Sequence, residues 1–246
     1  MNIKVFSHDE ALVIYLTDLF FEVISQDNRV NIGLATGSTF IDVYQSIIER
    51  SIKNHQSFQH LYTFNLDEYV DIDENHPQTF KSFMKHHLFN GIDLPDNQTH
   101  FPPTGSNIDY ACYDELIERE EGIDVQFLGI GTNGHIGFNE PGTAFDSKTH
   151  KITLDESTRE DNNKFFSSID EVPKYAVTMG IHTIMQSKRI ILVARGLHKA
   201  EAVYNMLYGD ICEDNPASIL REHPNCLVLL DKDAAKLVKR SCKDET

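Results

Sequence analysis

The sequence predicts an α/β fold: a doubly wound, mainly parallel sheet with helices on both faces, of the Rossmann-like kind. Three observations carry it. Short apolar runs alternate with longer amphipathic stretches along the whole chain. No repeat, low-complexity tract or linker interrupts that alternation, which implies a single domain over residues 1–246. The segments that look chemical fall just after apolar runs, where such a sheet binds its ligands.

Taken in order, Asn2 to Phe6 reads as a strand. Ser7 and Glu10 have the spacing of a capping box that opens a helix with apolar positions Ala11, Tyr15, Leu16, Leu19, Phe20 and Val23. Val30 to Ala35 is a strand, Phe40 to Lys53 an amphipathic helix and Leu61 to Leu66 a strand. Phe80 to Phe89 and Tyr110 to Glu120 are expected as helices. Val125 to Ile130, Ala176 to Met179, Arg189 to Ala194 and Cys226 to Leu230 are expected as strands, with helices at Ile181 to Gln186, His198 to Tyr208 and Asp231 to Lys239. The polar region from about 146 to 173 reads as a long loop, the usual material of a lid.

Composition narrows the partners. The formal net charge of −16 disfavours nucleic acid. No apolar run approaches the roughly 20 residues that span a bilayer, and the N-terminus lacks a signal-peptide core. The cysteines, Cys112, Cys212, Cys226 and Cys242, form no C-x-x-C pair, and the histidines form no H-E-x-x-H pattern. The expectation is a cytoplasmic protein with no metal site, and with Cys226 buried in a strand. In so acidic a chain an anionic ligand needs a local cradle.

Four segments carry chemistry. Ala35-Thr36-Gly37-Ser38-Thr39 joins a strand to a helix; Ser38 or Thr39 can cap that helix, and its N–H groups attract phosphate. Asp67 and Glu68 follow a strand end, either as a solvated turn or with one carboxylate in the cleft as a general base. Gln126 to Gly142, QFLGIGTNGHIGFNEPG, concentrates Gly129, Gly131, Gly134 and Gly137 around Asn133, His135 and Glu140. A carboxylate that accepts from one imidazole nitrogen leaves the other free to exchange a proton with substrate. Finally, Lys199 sits in the first turn of a helix against its dipole, a conflict that a bound anion removes. Lys164 lies in the lid region.

These motifs, with VPKYAVTMG at 172–180 and GLHKA at 196–200, make the chain resemble the glucosamine-6-phosphate deaminase family over nearly its whole length. The resemblance implies conversion of glucosamine 6-phosphate to fructose 6-phosphate and ammonia, a hydrolytic deamination by an isomerase-type mechanism. It implies no metal and no organic cofactor, and a small amino-sugar phosphate as the partner. Carried over by position, Asp67 is the isomerisation base and His135 the ring-opening acid/base, supported by Asn133 and Glu140. Ala35, Thr36, Gly37, Ser38, Thr39, Gly134, Lys164 and Lys199 would bind substrate. Asparagine stands at 133 where the family often has aspartate, so a fully charged triad is not expected. His150 and Ile152 replace basic residues that serve activation by N-acetylglucosamine 6-phosphate in the larger members, so that activation is expected to be absent. A monomer or small homo-oligomer follows. The rival readings are a 6-phosphogluconolactonase-like hydrolase and a non-catalytic sugar-phosphate sensor.

Overall fold

The structure, a computed structural model, describes residues 1–25, 29–105, 108–163 and 166–238. In chain order its strands and helices are β1 (Asn2–Phe6), α1 (Asp9–Ile24), β2 (Val30–Leu34), α2 (Ser38–Asn54), β3 (Leu61–Asn65), β4 (Asp67–Val70), α3 (Phe80–His87), β5 (Thr99–His100), α4 (Ala111–Arg119) and β6 (Val125–Leu128). They continue with β7 (His150–Thr153), α5 (Glu156–Asn163), β8 (Tyr175–Thr178), α6 (Ile181–Met185), β9 (Arg189–Ala194), α7 (Ala200–Tyr208) and β10 (Cys226–Asp231).

Seven strands pair in parallel in the order β1-β10-β9-β6-β2-β3-β5. Strands β6, β9 and β10 are almost continuously apolar, as strands buried on both faces must be, and their side chains are nearly all excluded from solvent. From β2 the chain moves outward through β3 to β5, whereas from β6 it moves the other way through β9 to β10. The β2/β6 junction is therefore a topological switch point, where a doubly wound sheet leaves a crevice at its carboxyl edge. Helices α1 and α2 close one face. Leu16 and Phe20 of α1 and Phe40, Val43 and Tyr44 of α2, spaced to share a helix face, converge on Leu34 of β2 and Phe127 of β6.

Several expectations need correction. The antiparallel sheet β4-β8-β7 was not legible. The strand expected over Ala176 to Met179 is β8, and it belongs to this second sheet rather than the main one. The region 146–173 is not a structureless loop, since it contains β7, α5 and a short 3-10 turn at Ile169–Glu171. Ser7 and Glu10 do not make a capping box: the N-cap is His8, and its side chain makes no capping bond. The helix expected from Asp231 to Lys239 is a series of turns through residue 238, with Lys239 outside the described residues. Asp231 ends β10 instead. Its Oδ1 accepts from Ala234 N at 2.6 Å and its Oδ2 from Gly196 N at 2.7 Å, so its carboxylate ties the turn after β10 to the residues that follow β9. Cys226 is buried as expected, and burial pushes its thiol up to about 11. Cys242 lies outside the described residues.

Candidate active site

A cavity of about 700 Å³ opens at the carboxyl edge of β2 and β6, within the usual size range for small-molecule sites. Ala35, Thr36, Gly37, Ser38, Thr39, Asp67, His135 and Lys199 all line it. Segments far apart in the chain thus meet at one rim, as the sequence reading requires.

The anion end is built on α2. Its N-cap is Gly37, at φ +104°, a backbone conformation suited to glycine. Ser38 and Thr39 do not cap the helix as expected; they occupy its first turn, and Gly37 has no side chain to do so. The N-terminus of a long helix is therefore left uncapped toward the cavity, with its dipole aimed at the contents. Tyr44 Oη donates to Ala35 O at 2.5 Å and holds the turn. Lys199 approaches from the turn Leu197–Lys199, whose start, Gly196, takes φ +92°.

Sequence reasoning missed Arg195, which also lines the cavity. Its guanidinium contacts Asp9 at 2.9 Å and Asp42 at 3.2 Å, tying the starts of α1 and α2 to the end of β9. The carboxylates outweigh burial and raise its already high pKa, so it stays charged. The signal was available: a lone arginine between an apolar strand and a glycine has the same setting that singled out Lys199.

Asp67 and Glu68 are both buried, each 7% exposed, in β4. Neighbouring strand residues point to opposite faces, and the pair divides accordingly. Glu68 accepts three backbone N–H bonds: Tyr69 at 2.8 Å, Phe80 at 2.9 Å and Lys81 at 2.9 Å. It is an anchor for the start of α3, beside the Thr79 cap on Ser82 N. Glu68→Ala leaves those donors without their charged acceptor and is expected to cost about 1–3 kcal/mol of stability in urea unfolding. Asp67 faces the cavity. Burial first, then the neighbouring Glu68 charge, pushes its carboxyl up to about 8, near the working pH of a general base.

The glycine-rich turn is shaped around His135. A Cβ on Gly131 would lie 2.3 Å from the imidazole, so only glycine lets the ring rest there. Gly137, at φ +57°, has a Cβ position 2.9 Å from Thr178 Oγ1 and 3.6 Å from Asp67 Oδ2, which places Asp67 against this loop. The loop is stitched to β8: Phe138 N donates to Thr178 Oγ1 at 3.0 Å, and Asn139 Nδ2 to Met179 O at 2.9 Å.

His135 Nδ1 lies 3.3 Å from Glu140 Oε2, a close contact without the alignment of a hydrogen bond. Glu140 is 5% exposed. Burial raises its pKa, but contacts from His135, Thr158 and Asn133 outweigh burial and hold it below the usual carboxylate value. Asn133 does not reach the imidazole. Its Nδ2 donates to Glu140 Oε2 at 2.7 Å, and its Oδ1 accepts from His135 backbone N at 3.2 Å. It thus supports the histidine through the loop and through Glu140. The structure places Gly134 away from the cavity lining, packed against Asn215, with its carbonyl accepting from Ala217 N at 2.9 Å. Lys164 lies outside the described residues.

The class that the fold and this cavity define is an α/β enzyme with its site beyond the carboxyl edge of a parallel sheet. The chain belongs to the glucosamine-6-phosphate isomerase/6-phosphogluconolactonase family, whose sequence model matches residues 8–229. It is 45% identical over 241 residues to the glucosamine-6-phosphate deaminase of Bacillus pumilus, spanning 96% of this chain and 100% of that protein. A solved structure of a monomeric glucosamine-6-phosphate deaminase superposes with TM-score 0.92 at 41% identity, covering 96% of this chain and all of that one. The 6-phosphogluconolactonase of Trypanosoma brucei shares the fold at TM-score 0.76 and 21% identity, covering 97% of this chain and 98% of that one. No helix among the described residues is long and apolar enough to cross a membrane.

Proposed function

We propose that this protein is a glucosamine-6-phosphate deaminase, converting glucosamine 6-phosphate and water to fructose 6-phosphate and ammonia. One observation carries the assignment: the buried Asp67 carboxylate faces the same cavity as His135 and the uncapped start of α2. An aldose-to-ketose shift needs a base beside adjacent carbons, a proton carrier for the ring and an anchor for the remote phosphate.

In this reading the phosphate rests on the backbone of Gly37, Ser38 and Thr39, with Lys199 supplying charge. His135 moves a proton from the C1 hydroxyl to the ring oxygen, and the ring opens to the aldehyde. Asp67 then takes the C2 proton while the substrate's ammonium passes a proton to the C1 oxygen, leaving an enolamine between C1 and C2. Return of a proton at C1 makes C2 an imine. Water adds at C2, and ammonia departs to give the ketone. The protons balance with one base working on both carbons. Glu140 holds the charge that His135 acquires in transit.

Lys199→Ala is expected to raise KM by about tenfold to a hundredfold with a smaller effect on kcat, as loss of one charge-assisted contact to phosphate should. Inorganic phosphate, a competitor for the same end of the cavity, should inhibit that variant more weakly. We expect a cytoplasmic monomer without activation by N-acetylglucosamine 6-phosphate. Ammonia release from glucosamine 6-phosphate, with no cofactor added, is the direct test. Hydrolysis of 6-phosphogluconolactone without ammonia release would overturn the assignment in favour of a lactonase, and tight binding without turnover would overturn it in favour of a sensor.

A further inference from the structure

The two oxygens of Glu140 have separate partners. Oε2 faces His135 Nδ1 at 3.3 Å and accepts from Asn133 Nδ2 at 2.7 Å. Oε1 accepts from Thr158 Oγ1 at 2.6 Å. Thr158 belongs to α5, outside the glycine-rich turn, and it is buried while also lining the cavity. Thr143, further along the loop, donates its hydroxyl to the Glu140 backbone carbonyl at 2.6 Å. Among the described residues, His135 is the titratable side chain that faces the carboxylate, with Asn133 and Thr158 as its neutral donors.

Helix α5 is unusual in how it is held. Its sequence, ESTREDNN, has no apolar side chain to bury, so a hydrophobic face cannot seat it. Among the described residues, polar bonds hold it. Arg159 Nη2 donates to Ile169 O at 2.8 Å and to Val172 O at 3.2 Å, pinning α5 to the turn that leads into β8. Elements held by a few polar bonds open at low free-energy cost. One of those bonds ends on the carboxylate beside His135.

We propose that Thr158 is a positioning residue through which α5 sets Glu140, so that the carboxylate is held against His135 only while α5 is seated on the cavity rim. The inference rests on His135 as the ring-opening acid/base. An empty cavity leaves α5 free to lift, and Glu140 then loses a donor and its fixed orientation. A substrate that keeps α5 seated assembles the proton carrier around itself.

The test compares Thr158→Val, which keeps the shape and loses the hydroxyl, with Thr158→Ser, which keeps the hydroxyl. The valine variant is expected to lose about tenfold to a hundredfold in kcat, as removal of a hydrogen bond to a charged group should, with KM within about threefold. Serine is expected to restore kcat to within about threefold of wild type. Glu140 ionisation, followed through the His135 ring signals by NMR, should move up by about one pH unit in the valine variant and return in the serine variant. Arg159→Ala should produce a milder loss of the same kind, and the double variant should be no worse than Thr158→Val alone, because both act through one bond. If valine disturbs the fold, Thr158→Ala removes the same hydroxyl. An unchanged kcat and titration in the hydroxyl-free variants, a serine variant as impaired as valine, or additive losses in the double variant would each overturn the proposal. The titration needs no turnover. A wild type that released no ammonia would defeat the functional assignment while the NMR result still decided the role of Thr158.

Discussion

Asp67→Asn is expected to remove turnover of glucosamine 6-phosphate by roughly 10²–10⁴ or more while leaving the sugar phosphate bound, because the amide keeps the shape and loses the basicity. The same variant should be more stable than wild type at alkaline pH. In the folded protein, burial and then Glu68 push Asp67 from 3.8 up to about 8. Between those values the folded state holds a proton that the unfolded state has released. Wild-type stability therefore falls as pH rises across that window, and the loss is complete above it. The asparagine variant lacks that slope, so the difference between the two should be absent near pH 4 and exceed about 1 kcal/mol at pH 8. Urea unfolding of both proteins at a series of pH values measures it. In the wild type kcat/KM should rise with pH as Asp67 ionises and level off near 8, the value burial gives it. Near-normal turnover in Asp67→Asn would remove the base from the mechanism.

His135→Gln should slow the cyclic substrate by roughly 10²–10⁴, the usual contribution of a positioned acid/base. The remaining steps do not require the imidazole. At high concentrations of this variant the rate should stop rising with added enzyme, limited by spontaneous ring opening in solution. The wild-type rate should stay proportional to enzyme. A variant rate that remained proportional throughout would mean that His135 serves the isomerisation as well, and the division of labour between His135 and Asp67 would fail.

How much of this was legible in the sequence depended on whether the signal was local. The turns at 35–39 and 129–140 announced themselves, because glycine at Gly37, Gly131 and Gly137 answers local demands: a positive φ, or room for a neighbouring ring. The parallel strands announced themselves through continuous apolar runs. The small sheet did not, because β4 pairs with β8, which lies more than a hundred residues away in the chain. Nor could the sequence divide Asp67 from Glu68. That choice is made by α3, whose exposed N–H groups claim Glu68 and leave Asp67 to the cavity. Ser7 and Glu10 had the spacing of a cap, but the helix begins at Asp9, so the spacing served no cap. Thr158 was invisible for a different reason. A threonine in a wholly polar helix has no periodicity to mark it, and only its bond to Glu140 reveals its use.

The burial that makes Asp67 reactive also costs stability, and the surrounding contacts show what offsets it. Glu68 secures α3, Arg195 secures the starts of α1 and α2, and Asn139 secures the histidine loop to the end of β8. These ties fix the rim from several sides.

The most direct measurement is a structure with the open-chain amino-alcohol phosphate bound, the reduced form of the substrate. The phosphate is expected on the backbone of Gly37, Ser38 and Thr39 within reach of Lys199, with C2 turned toward Asp67 and the oxygen of C5 toward His135. A phosphate seated elsewhere, or a C2 turned away from Asp67, would contradict it.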